Sequence, residues 1–581
     1  MTARHLDALV VGAGYGGIYM LYRLRELGLS ARAIDLAGDV GGTWYWNRYP
    51  GAMSDTESYV YRFSWDKEDL QTYPWSHHYV KQPDVLAYLQ HVVERHDLRK
   101  DMQFNTELLS AEWDDDSRQW IVETESHGTR QQYVVRYLVT ALGVLSSAHY
   151  PDISGIESFK GNLCHTASWD NSLDLTNKRV GVIGNGSTGV QVITAISKDV
   201  SKLVSFQRHP QYSVPSGDRP VDPSYRKWVN ENYDDIWHRV KNSITGFGFQ
   251  ESQIPFQDVP ESERNAVFES LWQQGNGFRF MFGGFSDIAV NREANAAACE
   301  FIRGKIGQIV KDPEKARKLK PQDHYARRPL CDGGYYKQFN RDHVDIVSLK
   351  ETPITAIREN GIETSDGQLH ELDVIIFATG FDAIEGSYNR LRIKGRGGLT
   401  LKEHWEPQGA TSYLGISVPH FPNMFLIAGP QGPFANLPPA IEAHVVLASR
   451  LISRAEKVRA KRPGKENPLV EALPEAEQEW LRECDAAAEG SLFKETASWI
   501  FGSNVPGKKY AIRFFFGGMQ KYYEALERMV QGGYRGYKPL VENLEDQLEV
   551  HNERRRGEAA GSGKRSEVPA GGQGGPLRAS L

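Results

Sequence analysis

Two glycine clusters in this 581-residue chain have the spacing that lets a backbone turn hold a pyrophosphate. The first, Gly12-Ala-Gly14-Tyr-Gly16-Gly17, follows the apolar run Leu6 to Val11 and precedes Ile18, Leu21, Leu24 and Leu27, so it reads as strand, tight turn and helix. Gly12 permits the turn, Gly14 admits a phosphate to the backbone, and Gly17 lets helix and strand close together, with the helix N-terminus facing the phosphates. The next strand, Ala31 to Asp35, delivers a carboxylate where it can accept a hydrogen bond from a ribose 2′-hydroxyl. Such an acid suits FAD or NAD and repels a 2′-phosphate. The second cluster, Gly184-Asn-Gly186-Ser187-Thr188-Gly189, follows Arg179 to Ile183 and opens a segment with Val190, Ile193 and Ile196 on one helical face. After its next strand, Leu203 to Phe206, the ribose-reading position holds Arg208. A guanidinium there selects a 2′-phosphate, and hence NADPH. One turn for FAD or NAD and one for NADPH imply redox chemistry between two dinucleotides.

The elements that must position these turns follow from the surrounding pattern. Glu371 to Phe381 reads as a buried parallel strand running into the turn at Gly380, and Tyr137 to Gly143 is an earlier echo of it. Both mark places where the chain crosses between nucleotide-binding units. The expected fold class is α/β, with two Rossmann-like dinucleotide-binding domains. Residues 1–143 and 381–545 form a discontinuous FAD domain, and residues 144–209 and 322–380 a discontinuous NADPH domain. Residues 210–321, rich in aromatics and in charges at helical spacing, are expected to be a helical insertion whose aromatics form core. From residue 552 onward the Gly, Ser, Ala and Pro composition predicts a disordered tail.

Composition narrows the class without naming it. A net charge of -6 argues against nucleic acid or an anionic membrane as the main partner. Cys164, Cys299, Cys331 and Cys484 form no CxxC pair, so a redox disulfide and a zinc ribbon are both disfavoured, and reduced thiols in a cytoplasmic protein are expected. No His, Cys and carboxylate spacing suggests a metal site. No apolar run reaches the length of a membrane span, and the first strand leaves no room for a signal peptide.

Between the two glycine clusters lies Phe159-Lys-Gly161-Asn-Leu-Cys-His165-Thr-Ala-Ser-Trp169-Asp170, which resembles, position for position, the FxGxxxHxxxW[PD] fingerprint of the Baeyer–Villiger monooxygenases. Gly41-Gly42-Thr43-Trp44 through Tyr49-Pro50-Gly51 to Asp55 resembles that family's GGxWxxxxYPGxxxD pattern. Arg327-Arg328-Pro329 to Asp342, Gly429 to Pro433, and Ser498 to Lys508 are similar to the cyclohexanone monooxygenase branch. The resemblance spans roughly residues 5–545. It implies that NADPH reduces FAD, that O2 forms a C4a-peroxyflavin, and that a ketone, cyclic in the branch resembled, becomes an ester or lactone. A peroxide that must stay anionic to attack a carbonyl needs a positive charge that cannot release a proton, which favours Arg over His or Lys.

Carried residue by residue, the resemblance implies that Arg328 is the active-site arginine and Asp55 the carboxylate that holds it. Gly42, Thr43 and Trp44 join the cofactor-binding set. Arg327 stands where the family usually has lysine and is expected to clamp the 2′-phosphate with Arg208. His165 reads as a hinge residue between the nucleotide domains rather than a proton-transfer catalyst, with Gly161 and Trp169 completing that fingerprint. Trp499 matches a tryptophan near nicotinamide and substrate, and Phe434 and Leu437 match pocket positions. Two departures lie beside that pocket: Gln431 replaces the branch's usual Asn, and Ala435 its usual Thr. The alternative enzyme is a flavin monooxygenase that oxygenates nitrogen or sulfur, a group that typically lacks the fingerprint tryptophan. A nucleotide-sensing protein on the same fold is the reading from outside catalysis. Oligomeric state is not legible in the sequence.

Overall fold

The computed structural model describes residues 3–461 and 467–538; the tail expected from residue 552 lies outside the described residues. The strand Arg4–Val11 buries its last four residues and runs parallel to Ala31–Ile34 on one side and to Thr129–Thr140 on the other, with Val10 opposite Ala33 and Val139. An eight-stranded sheet grows from this centre. Beyond Ala31–Ile34 lies Met102–Gln103. On the other side Thr129–Thr140 is long enough to serve two neighbourhoods. Its first half pairs antiparallel with Gln119–Ser126, and its last residues pair with Met424–Leu426. Gln119–Ser126 in turn pairs with Thr106–Asp114, and Arg392–Lys394 closes that edge.

The second sheet has five parallel strands in the order Val344–Ser348, Lys202–Gln207, Arg179–Ile183, Val374–Phe377, Asn162–His165. Its burial explains why Val374–Phe377 reads as a continuous apolar run. Val374 and Ile376 face the main core, whereas Ile375 and Phe377 face a second cluster. That cluster also contains Ile357 and Ile362, from a small antiparallel sheet of Ile354–Arg358, Gly361–Thr364 and Leu369–Glu371. A strand covered on both faces has no polar alternation to show.

Between the sheets the chain crosses twice, and the two crossings hydrogen-bond to each other. His149 N–H donates to Gly380 O at 2.9 Å, Asp382 N–H to Ser147 O at 2.9 Å, and Ile384 N–H to Val144 O at 2.9 Å. The linkers thus form an antiparallel ribbon rather than two loose strings.

The segment inserted after the second unit's Lys202–Gln207 strand is closed at its neck by a parallel pair, Ser213–Pro215 with Leu330–Asp332. Six helices lie between, from Pro223–Glu231 to Pro313–Leu319. Trp237, Phe247, Phe249, Phe268, Trp272, Phe278 and Phe280 are buried there, while Trp228 is largely exposed. The long helix Leu437–Lys461 packs on the first glycine helix and carries a buried acid, Glu442. Ser64 N–H donates to its Oε1 at 2.5 Å, and the Ser64 hydroxyl contacts Oε2. Burial pushes the Glu442 carboxyl up to about 7, against the two Ser64 contacts.

Candidate active site

The two glycine turns are built alike. A Cβ on Gly17 would lie 1.8 Å from Gly12 O, and one on Gly189 would lie 2.2 Å from Gly184 O, so any other residue would drive helix and strand apart. The helices Tyr15–Glu26 and Ser187–Ile196 begin at Gly14 and Gly186 with no side-chain cap. Their first-turn N–H groups are therefore left for an anion. Space beside Gly186 is open, while Gly14 faces Gly42, whose own Cβ would meet Gly14 Cα at 2.9 Å. The Gly42–Trp44 stretch thus lies against the first turn. Thr43 is exposed, and buried Trp44 donates through Nε1 to Tyr61 Oη at 3.2 Å.

Asp35, expected as the last residue of the second strand, lies directly after it, the strand ending at Ile34, and it also braces the turn. Its Oδ2 accepts from Ala13 N–H at 2.6 Å and its Oδ1 from Ala37 N–H at 2.7 Å. Burial raises its pKa, and those two donors act in the opposite direction. Each oxygen keeps a lone pair for a ribose hydroxyl. These residues fit a dinucleotide at each turn: backbone donors at the helix starts, glycines where a Cβ would intrude, and an acid at one ribose position.

In the second unit Asn185 Nδ2 donates to Gln207 Oε1 at 2.8 Å, which ties the turn to the end of the strand before exposed Arg208. The charge around this end is cationic. The pKa of the adjacent His209 is lowered by burial first, then by Lys350, Arg327 and Arg208. Arg327 is more committed than its sequence position suggests. Its Nη2 bonds Asp323 Oδ2 at 2.5 Å and its Nε donates to Ala497 O at 3.0 Å, next to the short helix Trp499–Phe501. Lys350 was not among the residues singled out from the sequence, because a lysine two residues beyond a strand carries no motif.

Asp55 and Arg328, 273 residues apart, meet directly. Arg328 donates to Asp55 Oδ2 through Nε at 3.0 Å and Nη2 at 2.6 Å. The Arg328 Nη1 makes no hydrogen bond among the described residues. Asp55 is fixed from several sides: Asn276 Nδ2 donates to its carbonyl at 2.8 Å, and the neighbouring Ser54 N–H donates to Val80 O at 3.0 Å. The second glycine helix docks on the same loop. Tyr49 Oη donates to Gln191 Oε1 at 2.8 Å, and Gln191 Nε2 donates to Met53 O at 3.2 Å. Gly51, at φ +84°, leaves only 2.7 Å between a notional Cβ and Gln191 O. Both nucleotide units therefore converge on the loop that holds Asp55.

Phe278 is a neighbour of Arg328 that the sequence reading passed over as one core aromatic among many. Its ring centroid lies 5.1 Å from the Arg328 guanidinium, and Phe247 stacks on it at 4.2 Å. The Gly275-Asn276-Gly277 triplet was the available signal, since such a cluster marks a turn. Buried Asn436 joins three loops: it accepts from Thr56 Oγ1 at 3.3 Å, donates from Nδ2 to Gly246 O at 3.1 Å, and donates from its backbone N–H to Thr245 O at 2.8 Å. Phe434 packs among Phe493, Phe514 and Phe516, two residues before Asn436. Leu437 opens the long helix and stays 38% exposed. Trp499 is half-buried, 5.8 Å from the Phe514 ring.

His165 sits beneath the linker ribbon and is almost wholly buried. Its Nδ1 accepts from Ala167 N–H at 3.0 Å, so the proton is on Nε2, which faces Thr379 Oγ1 at 3.4 Å; Thr379 in turn donates to His149 O at 2.5 Å. Burial lowers its pKa to about 4, which keeps the ring neutral near neutral pH. Gly161 is required by contact, because a Cβ there would lie 2.3 Å from Asp373 O. Trp169 packs partly buried on the main core.

Residues 7–214 match the family model described as flavin-binding monooxygenase-like. The chain is 49% identical over 534 residues to a phenazine N-monooxygenase of Lysobacter antibioticus, covering 92% of this chain and 97% of that protein. It is 47% identical over 529 residues to a Baeyer–Villiger monooxygenase of Pseudooceanicola batsensis, covering 91% and 95%. Among solved structures it resembles a cyclohexanone monooxygenase from Rhodococcus sp. Phi1 bound to NADP+, with TM-score 0.89 and 48% identity, covering 92% of this chain and 99% of that one.

Proposed function

Because the chain belongs to the Baeyer–Villiger monooxygenases, we propose that it uses NADPH and O2 to convert ketones, cyclic ones foremost, into esters or lactones. The observation that carries this reading is the Arg328–Asp55 pair at the meeting point of the two nucleotide units. Gly12, Gly14, Gly17, Asp35 and the Gly42–Trp44 stretch would hold FAD, which when bound and reduced would supply the oxygen-activating chemistry. NADPH is held at Gly184, Gly186, Ser187, Thr188 and Gly189, with Arg208 and Lys350 at its 2′-phosphate.

The protein's own contribution is electrostatic. Asp55 occupies Nε and one N–H of Nη2, which fixes the plane of the guanidinium and leaves Nη1 to face the negative charge that develops on the ketone oxygen. A guanidinium does not give up its proton near neutral pH, so it stabilises an anionic oxidant without quenching it. Phe278 beneath Arg328 keeps water from that side of the guanidinium and adds a ring face to it. Phe434 and Leu437 would line the ketone pocket, Trp499 would stand near the bound nicotinamide, and His165 holds the linkers in register.

The test is NADPH consumption by the flavin-loaded protein with and without cyclohexanone, with product mass and hydrogen peroxide followed together. Cyclohexanone-stimulated turnover to caprolactone supports the proposal. Replacing Arg328 by Ala should abolish the lactone, by at least about 100-fold, while NADPH oxidation continues to peroxide. Undiminished lactone from that variant refutes the role given to Arg328. A second reading, oxygenation of an aromatic ring nitrogen, is favoured by the 49% identity to a phenazine N-monooxygenase. Phenazine in the same assay decides between them, since an N-oxide formed faster than any lactone would reverse the order.

A further inference from the structure

Arg62 is 3% exposed, and its Nε and Nη1 have no hydrogen-bond partner. It makes no ion pair among the described residues. Its guanidinium instead lies between aromatic rings, 5.6 Å from the Tyr73 centroid and 5.2 Å from that of Tyr88. A buried charge with unused donors is costly, and ring faces repay only a small part of that cost. The same side chain lines a cavity of about 320 Å³, together with Tyr61, Tyr73, Trp75, Tyr88 and Asp84. Trp75 Nε1 is also buried there without a partner. Outside that lining, the Arg226 guanidinium lies 4.7 Å from the Trp75 ring centroid; its Nη1 is unpartnered, while its Nη2 donates to Leu70 O, Gln71 O and Tyr73 O. One guanidinium and an indole N–H therefore line the cavity with donors to spare.

We propose that this cavity is a binding site for a small organic monocarboxylate with a planar or aromatic body. The guanidinium fork of Arg62 matches a carboxylate in two parallel hydrogen bonds, and the Trp75 N–H supplies a third donor. The tyrosine and tryptophan walls suit an apolar ring, and the volume sits at the lower end of pockets that hold organic ligands. Asp84 on the lining opposes a dianion, which sets the charge at one. Tyr61 belongs both to this cavity and, through its hydroxyl, to Trp44 of the flavin-binding stretch, so the site borders the cofactor without being part of it.

Benzoate is the probe, titrated calorimetrically into the flavin-loaded protein alongside benzamide and inorganic phosphate. Benzoate should bind and raise the melting temperature, benzamide should do neither, and phosphate should be much weaker. Arg62→Met should weaken benzoate by about tenfold or more, and Trp75→Phe by a smaller factor, both with flavin content unchanged. Without ligand, Arg62→Met should melt no lower than the parent, because an apolar side chain of similar length removes an uncompensated buried charge. The proposal is overturned if benzoate fails to bind, if benzamide binds as well as benzoate, or if phosphate binds more tightly than benzoate. It is equally overturned if Arg62→Met binds benzoate undiminished, or if that variant loses flavin and stability, which would make Arg62 a structural residue.

Discussion

Glu442 should make the stability of this protein fall as pH rises from 4.5 to about 7. Its carboxyl is fully enclosed where the long helix meets Ser64, and burial raises it from 4.5 to about 7. Between those values the folded chain holds a proton that the unfolded chain has released. The contribution is therefore complete below 4.5 and is lost as pH climbs through about 7. At about 1.4 kcal/mol per pH unit, the gap between 4.5 and about 7 amounts to roughly 3 kcal/mol. A neutral acid fits the geometry: Oε1 accepts from Ser64 N–H, while a protonated Oε2 can donate to the Ser64 hydroxyl. Glu442→Gln keeps that shape and removes the titration. Urea midpoints of both proteins, followed by far-ultraviolet circular dichroism from about pH 4 to about pH 8, should coincide at the acid end. They should diverge with the variant ahead, and run parallel again above about pH 7. Parallel curves throughout would mean that Ser64 holds an ionised carboxylate and that the burial argument is wrong.

Other outcomes follow from the same structure. Arg208→Ala should raise KM for NADPH by about tenfold or more while leaving NADH turnover unchanged, with Lys350→Ala a smaller version; steady-state kinetics with both nucleotides checks this. Gly51→Ala, whose Cβ would press on Gln191 O, should retain flavin yet raise KM for NADPH, read from the absorbance ratio and initial rates. Because His165 is neutral with a pKa of about 4, a His165→Gln change should alter kcat without shifting the pH profile above about pH 5. Ala435→Thr should lower the ratio of activity on large ketones to that on small ones, and an unchanged ratio removes Ala435 from the pocket.

Sequence and structure differ most where contacts are long-range. The glycine turns and the runs ending at Asp35, Arg208 and Phe377 were legible because local sterics and burial on both faces leave a local pattern. Asp55 and Arg328 were legible as a pair only through family motifs, since nothing in spacing brings residues 273 positions apart into contact. Phe278 was not, because a ring that packs in a core and a ring that faces a guanidinium have the same apolar signature. Lys350, Asn436 and Glu442 sit in ordinary turn or amphipathic settings, and only folding assembles their partners. Arg327 was legible as a cation, but its commitment to Asp323 and Ala497 was not.

The strand order of the five-stranded sheet has a consequence for how the protein is made. Asn162–His165 has one partner in that sheet, Val374–Phe377, which also fills the gap beside Arg179–Ile183. A ribosome that has released residue 350 has produced four of the five strands, yet the slot between Asn162–His165 and Arg179–Ile183 is still empty. The segment bearing His165 thus waits on about two hundred further residues before it can seat, with apolar edges open to chaperones in the interval. Nor can one cut divide the molecule into its nucleotide-binding halves, because the eight-stranded sheet takes strands from both sides of the five-stranded one along the chain.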